Sequence, residues 1–232
     1  MKFVRLTIIS ILVMSFFSAT SLYAADLSKL EKRIDNCEEV MREVIQMPDK
    51  GIPTDLLSKC AGVAVFPYVI KGGFFVGARF GRGIVLAHDP KTNKWHPPAF
   101  FTVGGGSFGL QFGAQAIDLI LVIMNKRGLE GLLQDKFTLG GDAAVAAGPL
   151  GRNASADTDL LLKAGIFSYS RTKGVFAGIA LKGAVIMPDK DANHTYYDGA
   201  VKTEEILFGD KLIPPASSKE LLETLRKASV KQ

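Results

Sequence analysis

The stretch Phe74-Phe75-Val76-Gly77-Ala78-Arg79-Phe80-Gly81-Arg82-Gly83 decides the fold. Phe74, Val76, Ala78 and Phe80 hold alternate positions, with Gly77, Arg79, Gly81 and Gly83 on the opposite side. A period of two belongs to a strand, whose successive side chains point to opposite faces. The pattern returns in Phe108, Leu110, Phe112 and Ala114 against Gly109, Gln111, Gly113 and Gln115. It returns again in Gly174, Phe176, Gly178 and Ala180 against Val175, Ala177, Ile179 and Leu181. Glycine at alternate positions leaves one strand face nearly flat, which suits tight curvature or close approach of another backbone. Residues 72–183 hold 20 of the 24 glycines, with one short helix predicted over about Lys126–Gln134. Several such strands without long helices between them predict an antiparallel, barrel-like sheet.

On either side the period changes. Leu27, Leu30, Ile34, Cys37, Val40, Met41, Val44 and Ile45 follow the three-and-four spacing of one helix face over Leu27–Met47. Glu31, Lys32, Arg33, Glu38, Glu39, Arg42 and Glu43 fill the outer face, and Pro48 and Gly51 stop the helix. Pro53 to Leu57 opens a second short helix. Beyond the sheet, Tyr196–Phe208 and Ser217–Ala228 each carry an apolar stripe, separated by Pro214-Pro215, with Ser217 or Ser218 as the cap of the last. The fold class expected is α+β: a Gly-rich antiparallel barrel-like sheet flanked by N- and C-terminal helices in one domain, residues 25–232.

The first 24 residues read as a secretory signal peptide rather than as fold. Lys2 and Arg5 give the charged region, Leu6 to Phe17 the apolar run and Ser18 to Ala25 the small-residue stretch, with cleavage expected after Ala24. The alternative is an uncleaved anchor, against which the run is short of the ~20 residues of a spanning helix. Removing this segment takes away Lys2 and Arg5 and no acid, so the charge falls from +5 to +3. That mild excess suits anionic lipid or an acidic partner and is too weak to argue nucleic acid. In an oxidising compartment Cys37 and Cys60 form a disulfide or remain two buried thiols; the sequence leaves both open.

Catalytic patterns fail one by one. Gly104, Gly106 and Gly109 fit G-x-G-x-x-G after the strand-like Ala99–Val103, yet alternation follows where a dinucleotide site needs a helix. There is no phosphate-binding G-x-x-x-x-G-K-[ST] loop and no G-x-S-x-G elbow. His88, His96 and His194 lack a second ligand at metal spacing and read as exposed loop residues. Asp142, Asp157 and Asp159 lie near turns and read as caps. Asn153-Ala-Ser155 and Asn193-His-Thr195 fit the glycosylation pattern, though polar turns account for both. No metal and no cofactor is expected.

What remains is a surface suited to lipid. Lys71, Arg79, Arg82, Lys91 and Lys94 precede Trp95, Pro97, Pro98, Phe100 and Phe101. Cations attract anionic headgroups and an indole favours the headgroup boundary. The expected lipid-binding set is Lys71, Arg79, Arg82, Lys91, Lys94, Trp95 and Phe100; the competing reading is a solvated hairpin with Trp95 in the core.

The sequence also resembles the SYLF domain family, the lipid-binding module described as a yeast-type actin-binding domain. The resemblance is carried by Leu56-Leu57-Ser58-Lys59-Cys60-Ala61-Gly62-Val63-Ala64-Val65-Phe66-Pro67, by Lys71-Gly72-Gly73-Phe74-Phe75-Val76-Gly77 and by Gly81-Arg82-Gly83. Trp95-His96-Pro97-Pro98-Ala99-Phe100, residues 109–118, Ala146-Ala147-Gly148-Pro149-Leu150-Gly151-Arg152 and Tyr169–Gly178 add to it. It runs from about residue 28 to 209. It implies a non-enzymatic domain that binds phospholipid, phosphoinositides in eukaryotic members, with actin a partner in some and an N-terminal segment contributing to membrane binding. Here the export signal, with no SH3 or zinc-finger module attached, places the expected action at a periplasmic or secreted site, on an anionic phospholipid membrane surface. The alternative is a scaffold or stress protein with an envelope protein partner. Actin is unexpected for an exported chain, and nucleic acid is not expected.

Overall fold

A computed structural model describes residues 26–47, 50–73, 76–108, 113–151, 164–172, 175–199 and 201–230. The signal-peptide reading of residues 1–24 and the Asn153 motif lie outside them. Among the described residues ten strands run in chain order: β1 (Gly62–Gly73), β2 (Val76–Asp89), β3 (Lys94–Trp95), β4 (Ala99–Phe108), β5 (Gly113–Ile123), β6 (Phe137–Thr138), β7 (Val145–Ala147), β8 (Ile166–Thr172), β9 (Val175–Gly178) and β10 (Val185–Pro188). They join in the order β6-β10-β4-β2-β1-β5-β8-β7, with β3 added to β2 and β9 to β8. The pairs are antiparallel except β7 with β8, so the curled half-barrel is mixed rather than purely antiparallel. The alternating stretch over residues 108–115 lies mostly outside the described residues; β4 ends at Phe108 and β5 begins at Gly113.

Helix α1, residues 26–45, lays its predicted apolar face on one side of the sheet. Beside it pack α2 (Thr54–Lys59), α4 (Lys190–Tyr196) and α6 (Lys219–Ala228). The other side is the inner face of the curl, closed by α3 (Lys126–Gly131) and α5 (Thr203–Phe208). The two faces carry separate cores. Val63, Val65, Ile84, Leu86, Ile120 and Val122 point toward α1, while Ala64, Phe66, Val85, Leu119, Leu121 and Ile123 point inward. The stripe over Tyr196–Phe208 resolves into two helices, α4 and α5, rather than one. Asn125 caps α3 by accepting from Gly128 N at 2.8 Å. Ser218 stands at the start of α6, but its hydroxyl donates to the Pro215 carbonyl instead of capping.

A bulge divides β1. Against both β2 and β5 it carries one extra residue between Val65 and Val69, at Pro67-Tyr68. Proline has no N–H for the ladder, and Tyr68 takes a left-handed φ of 53°. The Tyr68 N–H, displaced from the ladder, donates to Asp118 Oδ1 at 3.0 Å. Asp118 Oδ2 accepts from Arg171 Nε at 2.8 Å, and Arg171 also bonds Glu43 of α1. This link marks where the cover of the α1 face ends.

Candidate functional site

Past the bulge, β5, β1, β2 and β4 continue as four strands with their rows in register. Toward α1's side, one row reads Ala116, Ile70, Phe80, Gly104, and the next outward holds Gly72, Ala78 and Gly106. Ile70 is 59% exposed and Phe80 52%, and Tyr68 at the bulge is 59% exposed. A Cβ on Gly72 would meet nothing within 4 Å, and one on Gly104 or Gly106 only a carbonyl oxygen at 3.9 Å. Small residues therefore leave a flat shelf around two raised apolar side chains. Val175, another exposed apolar residue, lies on β9 opposite Thr172 of β8, at this same end.

The cations predicted from the sequence divide between two ends of β2. Lys71 and Arg79 are cross-strand partners on the inner face of the bare end, and Arg82 is exposed on the α1 face beside it. None of the three has an ion-pair partner among the described residues. Lys91 and Lys94 sit at the far end of the strand, where Lys94 is the cross-strand partner of Asp89, roughly 30 Å along β2 from Arg79 at ~3.3 Å per residue. Lys94 pairs with Asp210 at 2.6 Å, and the Lys91 amide closes a turn on Asp89 Oδ1. Contiguity in sequence did not mean one surface.

Trp95 and Phe100 correct the expected set more sharply. Trp95 is 7% exposed, stacks on His88 with ring centroids 4.3 Å apart, and donates from Nε1 to Ser229 Oγ at 3.1 Å. Phe100 is fully buried beneath Arg33, whose guanidinium lies 5.3 Å from the ring centroid, and meets Tyr196 edge-on. Both side chains lie in the packed interior. The physical reason is the returning C-terminal helix: Asn93 Nδ2 donates to Arg226 O and Ser229 accepts from Trp95, so α6 closes over the hairpin.

The other candidates are absorbed by packing. His88 is buried rather than exposed, with Nδ1 2.9 Å from the Cys60 carbonyl and Nε2 3.1 Å from Asn93 Oδ1. Asn193 is buried too; its Oδ1 accepts from Phe100 N at 2.7 Å and its Nδ2 donates to Phe100 O at 3.1 Å, which leaves no free amide for a glycan. Cys37 and Cys60 are free, buried thiols; burial pushes Cys60 up to about 12 and Cys37 higher still. Such thiols stay protonated and unreactive near neutral pH. Glu38, expected on the outer face of α1, is buried and accepts from Thr224 Oγ1 of α6 at 3.0 Å. Among the described residues no group of three or more His, Cys, Asp or Glu is placed to hold a metal ion, and no helix is long and apolar enough to cross a membrane.

A family model described as "Ysc84: Las17-binding protein actin regulator" matches residues 104–228, more than half of the chain. The chain belongs to the Ysc84 family. This bears out the SYLF resemblance. "SH3 domain-containing YSC84-like protein 1" of Rattus norvegicus is 37% identical over 205 residues, 85% of this chain and 59% of that protein. Its Homo sapiens counterpart is 35% identical over 204 residues, again 85% of this chain and 59% of the relative. "Protein YSC84" of Saccharomyces cerevisiae is 31% identical over 172 residues, 73% of this chain and 36% of the yeast protein. The chain thus spans 59% of the two mammalian relatives and 36% of the yeast one, less than two thirds of each.

Sequence reasoning missed the bare shelf. Its signal was present in Ile70, Phe80 and the small residues around them, but which face α1 would cover is not written in the strands.

Proposed function

We propose that this chain is a non-enzymatic, peripheral binder of anionic phospholipid, acting at an envelope membrane after export. The observation that carries the reading is the bare end of the sheet. There Tyr68, Ile70 and Phe80 are more than half exposed, with Arg82 on the same face as Ile70 and Phe80 and with Lys71 and Arg79 on the opposite face of the same strand end; none of the three cations has an ion-pair partner among the described residues. Exposed apolar side chains beside unpaired cations suit the boundary between headgroups and acyl chains. The cations supply attraction of about 1 kcal/mol each near an anionic surface, and the apolar side chains supply shallow insertion. Export rests on the order of charge, apolar run and small residues in residues 1–24. The matching family description names an actin regulator, but an exported protein meets no actin, so lipid is the partner assigned here.

The test is co-sedimentation with phosphatidylcholine vesicles carrying increasing phosphatidylglycerol, at two salt concentrations. Binding is expected to rise with the anionic fraction and to weaken between 0.01 and 0.1 M salt, as the screening length shrinks from about 30 to about 10 Å. Equal binding to neutral vesicles, or none to either kind, overturns the reading and favours a protein partner.

A further inference from the structure

Lys71 and Arg79 stand directly opposite one another in an antiparallel pair. Residues so placed project from the same face about 5 Å apart, and like charges there destabilise the sheet. Both are half-buried, and burial, with the neighbouring guanidinium in the case of Lys71, pulls each below its ordinary pKa. Arg79 Nε is buried with no hydrogen-bond partner. Gln115 flanks Lys71 on the β5 side and Gly105 flanks Arg79 on the β4 side, so the row reads Gln115, Lys71, Arg79, Gly105. One row nearer the core, buried Val69, Ile117 and Val103 form an apolar floor. The nearby carboxylate Asp118 lies on the opposite face and is held by Tyr68 N–H and Arg171. The row has ammonium, guanidinium and amide donors and no acid among its own residues.

We infer that Lys71, Arg79 and Gln115 form a phosphate subsite that takes a doubly charged phosphate monoester. The inference rests on the membrane reading, for which this row is the headgroup site. A dianion compensates both facing charges, and its oxygens match the guanidinium fork in geometry. A phosphodiester carries one negative charge and leaves the pair half compensated. The same chemistry is presented by a monoester lipid headgroup and by soluble phosphate, so the experiment separates them.

The amide and side-chain NMR signals of Lys71, Arg79 and Gln115 are followed while the 15N-labelled protein is titrated at pH 8 and constant ionic strength. Inorganic phosphate is one probe and dimethyl phosphate, a monoanionic diester, the other. Inorganic phosphate is expected to shift these signals at lower concentration than dimethyl phosphate, and the K71Q/R79Q variant to lose the response. In parallel, the variant should bind phosphatidic acid vesicles about thirtyfold more weakly than the parent at low salt, as two surface charges are worth. R82Q serves as the control that keeps the phosphate response. The double variant is expected to melt no lower than the parent, because the charges removed repel each other; R79K, which keeps the charge, should retain the phosphate response if Q substitution disturbs the fold. Phosphate shifts with unchanged vesicle binding in K71Q/R79Q overturn the headgroup assignment and identify soluble phosphate as the ligand. Phosphate shifts in a protein that binds no vesicles overturn the membrane reading and leave the subsite standing. Absent shifts, or equal shifts in K71Q/R79Q, overturn the subsite whatever the vesicles do.

Discussion

Strand β2 lives in two settings within fourteen residues. From Gly83 to His88 every residue is buried, because α1 covers one face and the curl of the sheet closes the other. From Ala78 to Arg82 the alternate residues Ala78, Phe80 and Arg82 face solvent. The backbone ladder is continuous across both, with β4 paired from Val76 to Val85 without a shift. The comparison teaches that a period of two identifies a strand but not the cover of its faces. Cover is set by where helices cross, and here the crossing stops at the Pro67-Tyr68 bulge and the Arg171 link.

The largest effect belongs to the packed end. Trp95→Ala should lower stability by about 3–5 kcal/mol, the usual cost of deleting a buried aromatic. It removes the His88 stack and leaves Ser229 without its indole donor. Urea unfolding measures the loss, and vesicle binding of the still-folded variant should match the parent. A fully stable Trp95→Ala protein that no longer binds vesicles would return Trp95 to the membrane surface, as expected from the Lys71–Phe101 segment, and break the comparison.

Two glycines sharpen it. A Cβ on Gly83 would lie 2.0 Å from Val65 O and 2.6 Å from the Phe66 ring, so Gly83→Ala must push two strands apart. Overpacking of this kind costs typically ~1–3 kcal/mol, and backbone gives way less readily than side chains. Gly72→Ala meets nothing and sits at no positive φ, so it should be neutral or stabilise by a few tenths to about 1 kcal/mol through loss of unfolded-state freedom. Thermal melts of the pair decide. Equal destabilisation of both would mean that something covers the shelf in the folded protein.

Much of the architecture was legible beforehand. The spacing of Leu30, Ile34, Cys37 and Val44 gave the buried face of α1, and the alternation around Gly81 and Gly83 gave a curved sheet with helices at both chain ends. Pairing partners were not legible, since hydrogen bonds between β7 and β8 join segments whose relative direction no local pattern encodes. The site was read by proximity in sequence, which put Lys71 and Lys94 together although a long strand separates them. Trp95 and Phe100 were misplaced for a related reason. An aromatic beside prolines looks like an exposed loop until α6 and α4, from about 100 residues further along, return to cover it.

A small stability effect is expected on the shelf. Ile70 and Phe80 are each more than half exposed, so replacing either with serine removes less than half of a full side-chain burial, and each variant should unfold about 1 kcal/mol below the parent. Binding should fall as well. Moving a fully exposed Ile or Phe out of water is worth ~1.5–3 kcal/mol, and roughly half of each side chain remains to be covered, which corresponds to about a three- to twelvefold loss of vesicle affinity per substitution. The two residues are neighbours in one row, so the double variant should lose about the product of the two, and the loss should persist at high salt because it is not electrostatic. That persistence separates insertion from attraction: K71Q/R79Q weakens binding mainly at low salt, I70S/F80S at both. If I70S/F80S binds vesicles as the parent does, the shelf only lies near the membrane and the cations act alone. If instead it unfolds easily, the shelf is already covered, and the two ends of β2 are less different than their exposures indicate.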